Sequence, residues 1–217
     1  MGSNPIKSAN FNGEFMKVKY PRTFHLPWSL GITNDDKMLD TTEYFTDKRV
    51  IVTEKMDGEN TTMYCDYIHA RSLDSAHHES RNWVKAFHSS IAHSIPKSMR
   101  ICGENVYAKH SIHYTNLVSY FYGFSIWEAS KCLSWDETMF YFDELGITPV
   151  PVLYDGIYNE SVIKKLDITD KEGYVIRVAD SFDYATFNKN VAKFVRKDHV
   201  QTDQHWMHSE IIKNILT

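Results

Sequence analysis

One lysine lies in a stretch whose residue types suit covalent chemistry. Residues 53–61 read TEKMDGENT, and Lys55 follows an apolar run at 50–52. An unprotonated lysine amine is a nucleophile, but its ordinary pKa of about 10.4 must first be lowered by burial or by nearby positive charge. The alternative is structural, because Asp57-Gly58 is a strong hairpin signal. The stretch predicts a strand that ends near Lys55, with either role for the lysine.

A lysine that attacks a nucleotide phosphate needs three further kinds of group. Cations must offset the phosphate charge, carboxylates must hold a metal ion, and an aromatic ring must stack on the base. Candidates of these kinds follow in the order Arg71, Glu104, Phe124, Glu172 and Lys193. Three of them also have a structural interpretation: Arg71 as a strand-end surface charge, Glu104 as a turn residue and Phe124 as part of the core.

Short strands dominate the predicted elements. Strands are predicted for the β-branched and aromatic runs at 49–55, 60–66, 67–72, 99–107, 119–128, 172–178 and 191–196. Helices are predicted at 80–95, at the segment between a Ser134–Glu137 capping box and Gly146, and near 206–216. Strands in hairpin order with few helices indicate an α+β fold, with antiparallel β-sheets flanked by helices.

Length and composition limit the class of protein. A chain of 217 residues, 42% of them hydrophobic, supports one sizeable domain. Residues 1–15 are polar and patternless, so we expect a non-native leader there and a single domain over 16–217, without a full C-terminal domain. No apolar run approaches the roughly 20 residues of a membrane helix. Three widely spaced cysteines and no signal peptide indicate a reduced, cytoplasmic protein.

Common phosphate and metal motifs are absent from the sequence. It contains neither GxxxxGK[ST] nor GxGxxG, so a nucleotide site would be built in another way. The histidines at 77–78, 110 and 113 have no cysteine partners at zinc-site spacings, and we expect His110 to line a site or a groove instead. The net charge of −4 confines nucleic-acid binding to a local basic patch.

Two groups of residues are candidates for contacts with RNA. In the segment YPRTFHLPW, the side chains of Arg22, His25 and Trp28 suit charge and stacking contacts, unless the segment simply packs on the domain. Basic residues around the helix at 80–95 form either a phosphate patch or a solvated face: Arg81, Lys85, Lys97 and Arg100.

The order of these motifs resembles the covalent nucleotidyltransferase superfamily of ATP-dependent DNA ligases, RNA ligases and mRNA capping enzymes. The shared order is K-x-D-G, R-S, G-E, an aromatic strand, E-G-Y-V-I-R and a lysine-bearing strand. DNA ligases and capping enzymes usually carry arginine five residues after the nucleophile, whereas this chain carries Asn60. K-x-x-G-x-N and the segment YPRTFHLPWSLGITNDDK resemble ATP-dependent RNA ligases of the phage RNA-ligase-2-like group.

The resemblance implies the adenylyltransferase (ATP-grasp-like) domain of nucleic-acid ligases and a role for each motif residue. Lys55 would carry a covalent AMP derived from ATP. Glu172 and Asp57 would hold Mg²⁺ or Mn²⁺, directly or through water. The other implied roles are Phe124 for stacking on adenine, Glu54 and Asn60 for the nucleoside, Glu104 for the ribose, Lys193 for the α-phosphate and Arg71 for a phosphate or an RNA 5′-phosphate.

The last motif departs from the family pattern of two lysines separated by one residue. Residues 193–197 read KFVRK, so Val195 stands at the second position if Lys193 is the first, and Val191 at the first if Lys193 is the second. Arg196 or Lys197 would have to substitute, but strand alternation points only one of these neighbours into the site. Lys197 is therefore included among the nucleotide-binding candidates.

The implied function is an ATP-dependent RNA ligase that seals RNA ends as a monomer in the cytoplasm of a phage-infected bacterial cell. Two alternatives stay open. One is a DNA ligase or a capping-type nucleotidyltransferase, which Asn60 argues against. The other is a non-catalytic or partly active module of the same fold that binds RNA ends or nucleotides, which the altered last motif allows.

Overall fold

Two β-sheets form the frame of the computed structural model, which describes residues 16–197 and 211–217. Within those residues, the first sheet has five strands: β1 (Phe24–His25), β2 (Arg49–Glu54), β9 (Val152–Ile157), β10 (Gly173–Val178) and β12 (Val191–Val195). Their order across the sheet is β1-β12-β10-β2-β9. All neighbours are antiparallel except β1 and β12, which run parallel.

The second sheet contains the remaining strands of the described chain: β3 (Glu59–Met63), β4 (Ile68–Ala70), β5 (Met99–Asn105), β6 (Phe121–Glu128), β7 (Lys131–Cys132), β8 (Thr148–Pro149) and β11 (Phe182–Asp183). Its order is β11-β7-β6-β5-β3-β4, and β8 runs parallel beside β6. A cluster of buried residues joins the sheets, with Ile176 from the first and Trp127 from the second. The sheets therefore share one hydrophobic core.

Three α-helices lie among the described residues: α1 (Asn82–Ile91), α2 (Trp135–Glu144) and α3 (Glu160–Ile163). Val84 and Phe142 from the first two helices pack with Ile101 and Ile126, which neighbour each other on β5 and β6. Helices α1 and α2 thus cover one face of the second sheet and leave its other face to the first sheet. None of the three is long and apolar enough to cross a lipid bilayer.

The predicted α+β class and the antiparallel sheets are confirmed. Each of the seven predicted strands is present, with ends that differ by no more than three residues. The predicted capping box is also present: Ser134 Oγ accepts from the Glu137 amide, and the Glu137 carboxylate accepts from the Ser134 amide. The helix predicted over 80–95 is shorter, because its ends are 3₁₀ turns at 79–81 and 92–94.

The helix predicted near 206–216 is wrong for its described part, residues 211–216; positions 206–210 lie outside the described residues. The segment is extended, and single bridges join Lys213 to Ala108 and Leu216 to Leu117. Its Asn214 side chain is buried, donates to the carbonyl of Val106 at 2.8 Å and accepts from the Tyr114 amide at 2.9 Å. These pairings across the fold, which no local pattern encodes, hold the segment extended.

One glycine is required where β10 begins. A Cβ on Gly173 would lie 1.9 Å from the carbonyl oxygen of Phe194, across the ladder between β10 and β12. Any larger residue would push these two strands apart. Glu172 immediately precedes Gly173, so the close approach of the two strands also fixes the backbone position of Glu172.

Gly173→Ala should lower the free energy of unfolding by about 2–3 kcal/mol through this overpacking. Urea unfolding followed by circular dichroism measures the loss. Gly156→Ala is the matched control, because there the nearest atom is the end of a flexible side chain, the Tyr154 hydroxyl, at 3.0 Å. Equal losses in the two variants would contradict the requirement for glycine at 173.

Candidate active site

A cavity of ≈ 580 Å³ lies between the two sheets. That volume is within the range of roughly 300–1,000 Å³ found for small-molecule sites. The first sheet contributes Thr53, Val175 and Lys193 to its wall, and the second contributes Asn60 and Glu104. Strand alternation explains this arrangement, because Asn60 and Glu104 are cross-strand neighbours on the face of their sheet opposite the helices.

Most of the predicted site residues meet at this cavity. Its lining includes Glu54, Lys55, Asp57, Asn60, Arg71, Glu104, Phe124, Glu172 and Lys193. Lys197 does not line it: this residue follows β12 and is exposed. Val195, which stands at the second lysine position if Lys193 is the first, is fully buried, and the amides of Leu30 and Gly31 donate to its carbonyl. The placement of Lys197 therefore does not support its predicted role.

The centre of the cavity is an ion pair between Lys55 and Glu172. Lys55 directly follows β2 and Glu172 directly precedes β10, and these strands are antiparallel with Tyr174 opposite Glu54. The two residues therefore meet at the same end of the sheet. Lys55 Nζ donates to Glu172 Oε2 at 2.6 Å, with 24% of the Lys55 side chain exposed and 4% of Glu172.

The charge state of Lys55 differs from the expectation for a nucleophile. Burial lowers the pKa of Lys55, but the carboxylates of Glu172 and Glu104 outweigh burial and raise the pKa above its ordinary value. Lys55 is thus an ammonium ion in the ligand-free protein. Because the charges closest to Lys55 are negative, its pKa is not lowered in the ligand-free protein.

Glu104 is a further acid beside Lys55. Burial raises the pKa of Glu104 to about 8, against the lowering effect of Lys55, and the carboxylates of Glu172 and Asp57 raise it further. At neutral pH most of the population therefore holds a proton on this acid. The acidic groups around Lys55, namely Glu172, Glu104 and Asp57, therefore outnumber its single ammonium group.

A β-bulge sets the direction of Phe124. On β5 and β6, Gly103 pairs with Gly123 and Cys102 pairs with Ser125, so Phe124 is the extra residue on its strand. Bulges next to functional sites commonly redirect a side chain. Phe124 lines the cavity and meets the ring of Tyr20 edge-on, with 5.2 Å between centroids. The ring is therefore available to the cavity, although it also packs on the core.

The Asp57-Gly58 turn is not a hairpin, because β2 and β3 belong to different sheets. Asp57 Oδ2 accepts from the amides of Ser111 and Ile112, at 2.8 and 2.7 Å. A Cβ on Gly58 would lie 2.5 Å from the carbonyl oxygen of Asn105. The turn carries the chain from one sheet to the other and anchors the loop that holds His110, which lines the cavity as predicted.

The candidate RNA contacts divide into several environments. Trp28 donates to the Tyr174 hydroxyl at 2.8 Å and His25 is fully buried, so this part of the N-terminal segment packs on the domain. Arg22 is exposed and lines the cavity. In the second group, Arg81 pairs with Glu59 at the cavity wall, and Arg100 is buried over the Trp127 ring. Arg81 and Arg100 are therefore not part of a solvated phosphate patch.

Sequence reasoning missed Asp36 as a site residue. Asp36 lines the cavity, and its Oδ1 lies 3.5 Å from Lys193 Nζ. It sits in the polar stretch TNDDK, which ends the N-terminal segment that resembles the RNA ligase group. That stretch has no periodicity and its resemblance implies no role for Asp36, so only the folded chain brings it to Lys193.

The residues fit a nucleotide with a divalent cation. Asn60 Oδ1 is buried without a hydrogen-bond partner among the described residues, so it suits a donor on a ligand. Lys193 and Arg71 supply cations at the same cavity. Within residues 16–197 and 211–217, no three acidic, histidine or cysteine residues form a metal cage. Mg²⁺ needs only one or two carboxylates when water and phosphate complete its shell, and the surplus carboxylates satisfy that condition.

The fold is similar to that of solved nucleic-acid ligases. Naegleria gruberi RNA ligase with pyrophosphate matches with a TM-score of 0.54 at 17% identity, over 89% of this chain and 61% of that chain. An archaeal ATP-dependent RNA ligase matches with a TM-score of 0.52 at 17% identity, over 82% of this chain and 48% of that chain. A protein from Aquifex aeolicus described as an ATP-dependent DNA ligase matches with a TM-score of 0.52 at 17% identity, over 82% of this chain and 50% of that chain. These similarities show the fold of ligase nucleotidyltransferase domains, and the chain spans roughly half the length of the matched proteins.

The family follows from the sequence. The family model for RNA ligase matches residues 48–195, which is more than half of the chain. The chain therefore belongs to the RNA ligase family, within the nucleotidyltransferase superfamily that its motif order predicted. Among curated proteins, none matches it.

Glu104→Gln should stabilise the protein increasingly as the pH rises. The pKa of Glu104 is about 8 in the fold against an ordinary 4.5, so wild type loses stability as the pH rises from 4.5 to about 8, and glutamine has no proton to lose. Between pH 5 and pH 8.5 the gain of the variant over wild type should grow by about 1–3 kcal/mol. Urea unfolding at several pH values measures it.

The control for this prediction is Glu144→Gln, which changes an exposed carboxylate at the end of α2. Its difference from wild type should not vary over the same pH range. A Glu104→Gln gain that stays flat with pH, or that shrinks as the pH rises, would show that Glu104 ionises normally.

Proposed function

We propose that the protein is an ATP-dependent RNA ligase that works through a covalent AMP on Lys55. The observation that carries the proposal is the convergence of the motif residues, apart from Lys197, on one cavity centred on the Lys55–Glu172 ion pair. The family match makes RNA ends the expected substrate. Because the chain spans only part of the matched ligases, the substrate belongs to the proposal.

In the first step, Lys55 Nζ attacks the α-phosphorus of ATP. A nitrogen–phosphorus bond forms, the bond to the bridging oxygen breaks, and pyrophosphate leaves. Lys55 must lose a proton first. Its Nζ donates a hydrogen bond to Glu172, so this carboxylate is placed to accept that proton. Lys193, on the same cavity wall, offsets charge on the phosphate. A bound Mg²⁺ or Mn²⁺, held by Glu172 with Asp57 nearby, would supply positive charge that opposes protonation of Lys55.

The nucleoside is bound by residues of the second sheet and the adjoining strand end. Phe124 offers a ring to the adenine, Asn60 a buried acceptor, and Glu104 a carboxyl group to the ribose hydroxyls. Glu54 lines the same space, and burial raises its pKa. These contacts orient the α-phosphate towards Lys55, which contributes to catalysis by fixing the attack geometry.

Two transfers follow the covalent step. The AMP moves from Lys55 to the 5′-phosphate of an RNA end, and a 3′-hydroxyl then attacks the activated phosphorus while AMP leaves. Arg71 and Arg22 are exposed cations on the cavity lining and suit the phosphates of the RNA strand. We place the chain in the phage RNA-ligase-2-like group on the basis of Asn60. By the same resemblance we expect a monomer, formed by a single domain over 16–217, in the cytoplasm of an infected bacterium.

One observation favours a second candidate function. A buried valine, Val195 or Val191, stands where the family has a second lysine, and Lys197 lies outside the cavity. A site with one lysine fewer could bind ATP without transferring AMP. The alternative is a nucleotide-binding or RNA-end-binding module of the same fold, which would bind ATP reversibly and form no covalent product.

Self-adenylylation separates these two functions. Incubation with Mg²⁺ and ATP labelled at the α-phosphate should leave label on the denatured protein, whereas ATP labelled at the γ-phosphate should not. Lys55→Ala should reduce the label by at least about 10³-fold, because no other group replaces the nucleophile. Lys165→Ala, at an exposed lysine, is the matched control and should label like wild type.

Mass spectrometry before the reaction must show that the protein carries no AMP already, and circular dichroism must show that each variant is folded. Label that persists on Lys55→Ala would contradict the nucleophile assignment. No label on folded, AMP-free wild type would favour the binding module.

Strand preference is the second test of the function. The adenylylated protein should seal nicked duplexes with RNA at the nick at least about ten times faster than all-DNA nicks, a difference of about 1.4 kcal/mol in transition-state binding. Product formation on a gel measures both rates, and GTP in place of ATP should give no label. Preference for all-DNA nicks, or label from GTP, would indicate the DNA ligase or capping-type alternative.

A further inference from the structure

An acidic residue outside the predicted motifs faces Lys193. Asp36 Oδ1 lies 3.5 Å from Lys193 Nζ, and the two side chains are only 12% and 15% exposed. Both line the cavity that holds Lys55 and Glu172. An ion pair this poorly hydrated constrains its partners more than a surface pair does.

The backbone around Asp36 is tied to the strand that carries Lys193. Strand β1 runs parallel to β12 with His25 opposite Lys193. The His25 amide donates to the carbonyl of Lys37 at 2.7 Å, and the Leu39 amide donates to the carbonyl of His25 at 2.8 Å. The segment around Asp36 is therefore fixed next to Lys193 by hydrogen bonds of the main chain.

The two oxygens of Asp36 have different partners. Oδ2 accepts from the Thr33 amide at 3.0 Å and from the Thr33 hydroxyl at 2.9 Å, which leaves Oδ1 directed at Lys193. Burial opposes ionisation, but these hydrogen bonds and the charge of Lys193 lower the pKa of Asp36 to about 2. Asp36 therefore carries its negative charge throughout the physiological pH range.

His25 supports this arrangement as a neutral side chain. It is fully buried, its Nδ1 lies 2.7 Å from Ser29 Oγ, and Ser29 Oγ accepts from the Val195 amide at 2.9 Å. Nε2 lies 3.3 Å from Asp36 Oδ2, although no well-aligned hydrogen bond forms there. Burial and then the charge of Lys193 lower the pKa of His25 to about 4, so His25 does not compete for the charge of Asp36 at neutral pH.

We propose that Asp36 is a positioning residue that keeps Lys193 charged and directed at the phosphates of the nucleotide. Asp36 does so in a chain that has a buried valine, Val195 or Val191, in place of one of the family's two lysines. With one lysine instead of two, binding of the phosphates depends more strongly on the charge and orientation of the Lys193 side chain. The role of Asp36 towards the nucleotide rests on the proposed function, whereas its effect on Lys193 is a property of the free protein.

The charges that face Lys193 define the expected effect. Burial lowers the pKa of Lys193, Asp36 raises it, Lys55 lowers it, and Glu172 raises it, while His25 is neutral. Removing the charge of Asp36 leaves burial and Lys55 opposed only by Glu172. The ammonium of Lys193 should then lose its proton at lower pH.

The first test titrates Lys193 in the nucleotide-free protein by NMR of ¹³C-labelled lysine side chains, with Lys193→Gln to assign the signal. Asp36→Asn keeps an oxygen for the Thr33 donors and should move the titration midpoint of Lys193 down by at least about one pH unit. Asp40→Asn, at an exposed carboxylate nearby, is the charge-matched control and should leave the midpoint unchanged. An unchanged midpoint in Asp36→Asn would overturn the proposal.

A second variant covers the case in which Asp36→Asn does not fold. Thr33→Val removes the hydroxyl that orients Asp36 but keeps the amide donor and the charge. It should shift the midpoint of Lys193 in the same direction by a smaller amount. No shift in that variant would also overturn the proposal.

The second test measures self-adenylylation at saturating ATP between pH 7 and pH 10. Asp36→Asn should lose activity at lower pH than wild type, and in a Lys193→Gln background it should cause no further loss. A merely structural role predicts a uniform loss at every pH and additive effects, which would overturn the positioning role. If wild type forms no adenylate at all, the proposed function fails, and the lysine titration alone decides the role of Asp36.

Discussion

The ion pair of Lys55 with Glu172 is the constraint on which the site depends. Both charges are largely out of water, where neither is tolerated without a partner. Their meeting requires that β2 and β10 be adjacent and antiparallel with Glu54 opposite Tyr174, and that Gly173 allow β12 to come close. The register of the first sheet and the glycine in E-G-Y-V-I-R therefore serve one 2.6 Å contact.

The stretch TEKMDGENT joins the two sheets instead of forming the hairpin that its Asp57-Gly58 turn suggested. The stretch ends a strand of one sheet at Lys55 and starts a strand of the other sheet at Glu59. Asp57 ties the turn to the loop at 111–112, and Gly58 packs against the carbonyl of Asn105. Lys55 lies at this crossover, so both sheets fix its position at the cavity between them.

Local patterns predicted the elements that have a strong signal in the sequence, such as the apolar run of β2 and the capping box at Ser134. They missed β9, because Pro151 and Asp155-Gly156 read as breakers, whereas Asp155 in the fold forms a bidentate ion pair with Arg49 on the next strand. Position counting suggested Lys197, but the segment at 29–31 covers Val195 and leaves Lys197 outside. The Asp36–Lys193 contact depends on the parallel pairing of β1 with β12, which no residue spacing in the sequence predicts.

Lys55 and Lys193 both line the cavity, and their environments shift their pKa values in opposite directions. Carboxylates outweigh burial at Lys55 and raise its pKa, whereas burial dominates at Lys193 and lowers its pKa. Under the proposed function the chemistry needs the reverse, a neutral Lys55 and a charged Lys193. In the free protein Lys55 therefore acts as the counter-ion for Glu172. Under the proposed function, cations that arrive with the nucleotide would take over that task, and formation of the nucleophile would then be coupled to nucleotide binding.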